Sequence, residues 1–383
     1  MRILVLNYEY PPLGGGAAPV CEQLCRHFAA MGHGVEVVTM GFRGLPARES
    51  RDGVQITRVP ALRKCQATCE TPEMLSYVLS AFPRVVSRLR RNLFDIIHVH
   101  FVIPTGLLAC MATRFRKTPY VITAHGSDIP GYNPDRFKKE HRITTPLLKI
   151  IMKRAAALTS PSQFLRALML EACGPFDIRH IPNGIDLDRF LPKPKQKRIL
   201  MTGRLLPRKG FQHVLQALQG VETDFEVHIA GDGPIRAELE AMAKTLAVKV
   251  VFHGWLDNNS QELKDLYETS AIFCLPSERE NASISLLEAM AAGMALITSN
   301  VTGCPETVGD AGFVVPPKDP GALRPLLEKL MASESLTAEC ATKARERVVE
   351  KFDWRKISSQ YLGLFESIIN GNDTHTAGKA QML

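Results

Sequence analysis

No part of this sequence stays apolar for the ~20 residues that a membrane-spanning helix requires. The two longest candidates, Val102 to Ala112 and Leu286 to Ile297, are broken by Pro104 and Thr105 or by Glu288. No cleavable leader is expected either. Met1 to Asn7 is too short for one and runs straight into a glycine-rich turn, so it reads as a first strand. That turn, Pro12-Leu13-Gly14-Gly15-Gly16, has neither the GxGxxG spacing of a dinucleotide fingerprint nor the Gly-Lys-Ser/Thr ending of a P-loop. A Rossmann dehydrogenase is thereby disfavoured. The nine cysteines include two close pairs, Cys21/Cys25 and Cys65/Cys69, but both are spaced four apart and not as CxxC. Reduced, buried thiols are the expectation, with no metal site.

What is there fits a globular chain of two domains. Its 383 residues are 45% hydrophobic and 22% charged, enough for two cores of ordinary size. The net charge of +8 is unevenly placed. Residues 1–190 hold 25 Lys+Arg against 15 Asp+Glu, whereas residues 191–383 hold 22 against 24. A basic first half suits an anionic partner, such as a phospholipid surface, a diphosphate-linked acceptor or nucleic acid, and an incidental bias explains it equally well. Phe137 to Arg142 is a basic patch, followed by an apolar helix that Thr145-Pro146 should start. That helix reads as core-packed, with a membrane surface as the alternative.

Short apolar runs alternate with helical patterns along the whole chain, as in α/β folds with parallel sheets. Strands are expected at 2–7, 35–39, 54–59, 95–100, 121–124, 157–160 and 178–181, then at 198–202, 225–230, 250–252, 271–275 and 295–298. The helix at 72–92 should bury Leu75, Val78, Leu79, Phe82, Val85, Val86 and Leu89 and be kinked or divided at Pro83. Arg84, Arg88, Arg90 and Arg91 crowd its end, where cations suit the helix dipole. Leu187 to Lys197, with Pro192 and Pro194 among basic residues, reads as a linker. The polar tail from Gly371 to Leu383 reads as disordered.

Ligands of open α/β sheets gather at the carboxyl ends of the strands, so the loops there carry the candidate chemistry. Gly14-Gly15-Gly16 permits positive φ and close approach by a phosphate or sugar, although a tight strand–helix connection would look the same. His125 ends a strand, and Gly126 behind it favours an approaching ligand over a merely packed imidazole. Gly203 to Gly210 places Arg204 and Lys209 at another strand end, where a guanidinium forks onto phosphate oxygens and an ammonium adds a point charge. Ala271 to Asn300 reads as strand, polar turn, helix and strand, with the helix from Ser283 to Ala292 and Gly293 as its cap. The helix N-terminus favours an anion. Glu280 in the turn and Glu288 in the helix would repel one, unless they serve a neutral, hydroxyl-rich part of the same ligand. A glycosidase pair is the alternative, and it would leave Arg204 and Lys209 without a task.

Those loops, with His98-Val99-His100, Pro182-Asn183-Gly184-Ile185-Asp186, Gly231-Asp232-Gly233-Pro234 and Glu280-x7-Glu288 followed by Ala289-Met290-Ala291, resemble the family 4 glycosyltransferases of the GT-B fold over residues 1–369. The resemblance implies an α/β protein of two Rossmann-like, doubly wound domains facing across a cleft. Residues 1–190 would form the acceptor side, 191–353 would bind the nucleotide-sugar, and a helix at 354–370 would return to the first domain. It implies retaining, metal-independent hexosyl transfer from a UDP- or GDP-sugar, a co-substrate, with no cofactor. It also implies that Arg204 and Lys209 hold the donor diphosphate, helped by backbone amides of Gly15, Gly16 and the helix near Ser285. Glu280 would contact hydroxyls of the transferred sugar, Glu288 would bind the ribose, and His125 would lie beside the sugar. Asn281-Ala282-Ser283 would add backbone contacts and stand where many members carry a Gly-Phe-Gly type sequence, which bears on donor-sugar choice.

The implied acceptor is a glycan, a lipid-linked saccharide or a small molecule, in glycan or cell-envelope biosynthesis, lipopolysaccharide included. The expected location is cytoplasmic, with peripheral contact to an anionic membrane through the basic first domain. Nucleic acid is disfavoured as a partner. A nucleotide-sugar epimerase of the same fold class and a non-catalytic glycan- or nucleotide-binding scaffold are the rivals.

Overall fold

The computed structural model describes residues 1–66, 68–132 and 138–371, without the side chains of 138–143. The side chains of the basic patch at 137–142 and the tail beyond Gly371 lie outside the described residues. The chain divides into two compact units, Met1–Pro182 with the chain from Trp354 onward, and Asn183–Asp353. The division thus falls after Pro182 and not at residue 190.

The first unit holds eight strands: β1 (Arg2–Leu6), β2 (Gly34–Met40), β3 (Arg48–Arg51), β4 (Val54–Val59), β5 (Ile96–His100), β6 (Tyr120–Thr123), β7 (Ala157–Ser160) and β8 (Ile178–His180). Their order is β3-β4-β2-β1-β5-β6-β7-β8. Every pairing is parallel except β3 with β4. Helices cover both faces, so β5 and β6 are buried along their whole length. Sequence order reverses between β1 and β5, which makes their carboxyl ends a topological switch point. Strand β3 escapes a sequence reading because Arg48-Glu49-Ser50-Arg51 is a polar edge hairpin with no apolar alternation to find.

The helix Thr71–Arg90 corrects two expectations. It runs unbroken through Pro83. Pro83 is exposed, so the carbonyl it frees one turn back, at Leu79, sits on a wet face. The buried stripe is Tyr77, Val78, Ala81, Val85, Val86 and Leu89, whereas Leu75 and Leu79 are 56% and 67% exposed. Tyr77 and Ala81 rotate the true face away from the one that counting large aliphatics suggests. Arg88 also does more than face the dipole, since its Nε meets Glu36 Oε1 at 2.6 Å. The later helix spans Lys138–Arg154 with Pro146 inside it, instead of starting at Thr145. The final helix, Trp354–Ile369, packs on the first unit. Phe365 lies 5.7 Å from Phe28 between ring centroids, and the Tyr361 hydroxyl meets Thr123 Oγ1 at 3.2 Å.

The second unit holds β9 (Gln196–Thr202), β10 (Glu226–Ala230), β11 (Lys249–Gly254), β12 (Ser270–Leu275), β13 (Ala295–Ser299) and β14 (Phe313–Val315). All pairings are parallel, in the order β11-β10-β9-β12-β13-β14. The switch point here lies between β9 and β12. The stretch Leu187 to Lys197 is not a linker. Leu187 and Phe190 are buried in the core of this unit, Phe190 packs 5.0 Å from Tyr267, and β9 already begins at Gln196. Prolines and lysines masked two apolar anchors. Among the described residues no helix is long and apolar enough to cross a membrane.

Candidate active site

The β9–β12 switch point is built by two loops locked to each other. The turn after β9 ends at Gly210, with φ +80, and a Cβ there would stand 2.4 Å from the Pro276 carbonyl oxygen. Only glycine allows that approach and that dihedral together. The Arg208 carbonyl then accepts from Glu278 N at 2.8 Å and from Ser277 Oγ at 3.1 Å. This brace brings Lys209 Nζ to 2.5 Å from Glu280 Oε1. Glu280 is held from behind by the loop after β13. Its N–H donates to Thr302 Oγ1 at 2.9 Å, and its carbonyl accepts from Gly303 N at 2.9 Å. Gly303 passes so close that a Cβ would fall 1.5 Å from the Asn281 oxygen. Arg204 lies on the same loop as Lys209, exposed and without an ion pair to any described residue.

The helix Ile284–Ala291 follows, with Ser283 as its N-cap. Ser283 Oγ lies 3.0 Å from Ser285 Oγ, and Asn183 Nδ2 donates to the Ala282 carbonyl at 3.3 Å. Glu288 has a different set of partners from Glu280. It is buried and lies 3.6 Å from Arg189 Nη1. Burial pushes its carboxyl above the usual range, against the pull of Arg189 and a hydrogen bond from Tyr267. The Tyr267 hydroxyl in turn meets Thr202 Oγ1 at 2.7 Å. Both glutamates are thus largely buried beside a basic side chain, Glu280 with Lys209 and Glu288 with Arg189, and Glu288 has the Tyr267 hydroxyl as well.

In the first unit, Gly15 and Gly16 follow β1, and a Cβ on either would meet nothing within 4 Å. Gly15 N donates to Glu9 Oε2 at 3.1 Å. His125 follows β6. Asp128 shapes its loop, with Oδ1 accepting from His125 N at 3.1 Å and from Gly126 N at 3.0 Å, while Oδ2 accepts from Val102 N at 2.7 Å. Burial still leaves Asp128 above its ordinary range despite those bonds. Gly126 needs a different account from the one its sequence context suggests. The Tyr132 ring occupies the space a Cβ would need, at 2.9 Å, so the missing side chain serves packing and not ligand approach. Burial and neighbouring His100 push the His125 imidazole well below its ordinary value.

The structure therefore gathers Arg204, Lys209, Glu280, Asn281, Ala282, Ser283, Ser285 and Glu288 at one switch point, and Gly15, Gly16 and His125 at the strand ends of the other unit. Asp128, Arg189, Tyr267 and Thr302 are additions. Asp128 was legible as a turn acid two residues beyond Gly126. Arg189 and Tyr267 carry no local signal, because each meets Glu288 only through the fold. Cys21, Cys25 and Cys69 are buried and unbridged, whereas Cys65, expected to be buried, is unbridged but exposed. Among the described residues no group of three or more His, Cys, Asp or Glu side chains is disposed to hold a metal ion.

Comparison with known proteins bears on the family and the fold. Residues 14–189 match the family described as Glycosyltransferase Family 4, and residues 185–347 match Glycosyl transferases group 1. The chain is 27% identical to the MMP alpha-(1->4)-mannosyltransferase of Mycolicibacterium hassiacum, over 96% of this chain and 98% of that protein. Its fold is similar to that of sucrose-phosphate synthase from Thermosynechococcus elongatus, with a TM-score of 0.80 and 21% identity over 97% of this chain and 100% of the other. Anabaena HepE in complex with UDP-glucose is also similar, with a TM-score of 0.71 and 17% identity over 96% and 100%. With two parallel-sheet units and matches spanning both, the chain belongs to the family 4 glycosyltransferases of the GT-B fold.

Proposed function

We propose that the protein is a retaining glycosyltransferase. It moves a hexose-type sugar from a UDP- or GDP-sugar to a glycan, lipid-linked or small-molecule acceptor, in glycan or cell-envelope biosynthesis. The observation that carries this reading is the Lys209–Glu280 pair at the β9–β12 switch point, 2.5 Å apart, with Arg204 on the same loop and without an ion pair among the described residues. A leaving nucleoside diphosphate gains negative charge as its glycosidic bond breaks. Fixed cations stabilise charge that develops in the transition state, and losing one such donor costs on the order of 10²–10³ in rate.

Without ligand, Glu280 neutralises Lys209. When a diphosphate engages Lys209 and Arg204, Glu280 is released to accept hydrogen bonds from hydroxyls of the transferred sugar. Glu288 accepts from the ribose, and N–H groups near Ser285 meet the phosphates. The backbone of Asn281, Ala282 and Ser283 borders the sugar. The amides of Gly15 and Gly16 assist once Glu9 gives up its bond to Gly15, and His125 contacts the sugar. The acceptor attacks on the face the leaving group vacates, and a leaving-phosphate oxygen takes its proton. No protein nucleophile and no metal enter this scheme. The sugar transfer named for the Mycolicibacterium relative and the UDP-glucose bound by HepE support a nucleotide-sugar donor. Peripheral contact with an anionic membrane through the basic residues of 1–190 belongs to the same reading.

Thermal shift with UDP-, GDP- and ADP-sugars tests the donor, because a ligand that binds only the native state raises its stability. A UDP- or GDP-sugar should raise Tm and support transfer. No shift with any of them, and no transfer, would sink the proposal. A new isomer formed from donor alone would instead mark an epimerase.

A further inference from the structure

The helix Thr71–Arg90 carries apolar side chains that the core does not take. Leu75 and Leu79, one turn apart, are 56% and 67% exposed. Leu62, on the chain leaving β4, is 70% exposed. Its N–H donates to Ser76 Oγ at 3.0 Å, which holds it beside the helix. Further along, half-buried Phe82 meets Phe115 edge to face, with ring centroids 5.9 Å apart. Phe115 is itself 50% exposed. Residues three and four apart on a helix are neighbours, so Leu75, Leu79 and Phe82 form one stripe. Leu62 extends it at one end and Phe115 at the other. A single exposed leucine needs no explanation, whereas a contiguous run of large apolar side chains marks a surface that meets something.

The charge around this stripe selects what it meets. Residues 74–127 hold seven Lys+Arg and one acid, Asp95, and Asp95 is engaged by Arg2. Arg88 is held by Glu36. The other six, Arg84, Arg90, Arg91, Arg114, Arg116 and Lys117, are exposed. They lie on the helix, at its end, or on the turn that carries Phe115. Arg90 stands over the Phe115 ring, with Cζ 5.2 Å from the centroid. A guanidinium resting on a ring keeps its charge at the level of lipid headgroups while the ring goes deeper. An apolar layer beneath a broad anionic plane is offered by one kind of partner, a bilayer of anionic lipid.

We infer that this flank is a membrane-docking surface. Leu62, Leu75, Leu79 and Phe115 enter the headgroup boundary of an anionic bilayer, and Arg90 and its basic neighbours hold the lipid phosphates. The inference rests on the proposed peripheral contact of the first unit with a membrane, and it gives that contact a place and a depth. Leu62 stands just beyond the end of β4, so the stripe begins at the carboxyl edge of the sheet. Gly15, Gly16 and His125 follow strands at that same edge. A lipid-linked acceptor resting in the bilayer is thereby kept near them.

The test mixes full-length protein, at low salt and without donor, with vesicles of phosphatidylcholine alone or with an equal amount of phosphatidylglycerol. Flotation reads the bound fraction. Binding should require the anionic lipid. Leu75→Ser combined with Leu79→Ser should weaken it at least about tenfold, with an unchanged melting temperature, since both side chains are already in water. Arg90→Glu combined with Arg91→Glu should weaken it by at least about tenfold too. Phe115→Trp reads depth. Above the background of Trp255 and Trp354, its indole emission should shift to the blue on binding and be quenched by lipids brominated in the acyl chain. No binding at low salt removes both the surface and the contact it rests on. Binding that ignores all four substitutions, without quenching in Phe115→Trp, leaves the contact standing and overturns this place for it. Binding that falls with the arginines and ignores the leucines is adsorption by charge alone, which also overturns the inserted surface. Self-association of the wild type that the double serine variant abolishes would make the stripe an interface between copies and sink the inference. Should that variant not fold, the quenching decides. A failure of sugar transfer would count against the proposed reaction and not against the surface.

Discussion

The two units reverse strand order in the same way, yet they place opposite chemistry at the ends of their central strands. After β9 and β12 stand a guanidinium, an ammonium and two carboxylates. After β5 and β6 stand buried imidazoles and an aspartate saturated by backbone N–H groups. A second imidazole pair sharpens the contrast. His228 Nδ1 and His253 Nε2, on β10 and β11, also lie 2.9 Å apart. There, Glu226 meets His228 Nε2 at 3.1 Å and Glu262 meets His253 Nδ1 at 2.9 Å. A carboxylate stands at each end of that pair, yet burial still holds His228 below its ordinary value. No carboxylate is bonded to the His100–His125 pair among the described residues, and burial and His100 push His125 well below its ordinary value. The same ring-to-ring contact is therefore bracketed by carboxylates in one unit and set among buried side chains in the other. Charged side chains thus follow the central strands of one unit, and imidazoles follow those of the other.

The largest effect should come from breaking the charged switch point. Lys209→Ala and Glu280→Ala should each cut transfer by at least about tenfold while the far-UV circular dichroism stays native, since both remove a charge from a loop and not an apolar side chain from a core. Near wild-type turnover in both would remove the contrast between the units.

Glu288→Gln should cost less in rate, about tenfold, and should carry a stability signature of its own. Its folded carboxyl lies above the ordinary value of 4.5, so the native state holds that proton more tightly than the unfolded chain does. Stability from this group is then present at low pH and is lost as pH rises from 4.5 through the raised folded value. Glu288→Gln should flatten that decline in a series of melts, and an unchanged pH dependence would show that Glu288 is not the group responsible. His253→Asn should change transfer by less than about twofold and stability by no more than about 1 kcal/mol, because it sits among surface carboxylates. A tenfold loss would mean that the second imidazole pair is functional after all. The smallest expected effect is that of EDTA, which should leave transfer intact. Activity lost to EDTA and restored by a divalent metal would overturn the metal-free scheme.

Much of the fold was legible locally. Apolar runs marked the central strands of both sheets to within a residue or two, because a strand buried on both faces is apolar over most of its length. The failures were places where local pattern and burial part company. Leu75 and Leu79 look like core and are exposed. Arg48 to Arg51 looks like loop and is a paired edge. Phe190 hides among prolines and lysines yet anchors a core. At the site, residue types sufficed to choose Arg204, Lys209, Glu280 and Glu288, since cations and carboxylates at strand ends are chemically conspicuous. Gly126 was chosen for a reason the Tyr132 ring contradicts.

The sequence by itself determined an α/β chain whose glycine-rich loops follow its strands, and it named the charged residues that those loops carry. Only the tertiary structure decided which of them meet. Lys209 and Glu280 are 71 residues apart, Arg189 and Glu288 lie on separate segments, and His100 and His125 end different strands. Local periodicity reports which face of an element is buried, but not which element lies beside it. Parallel pairing brings distant strands side by side, so the switch points and the partners of every candidate side chain are settled by strand order, a property that no single segment encodes.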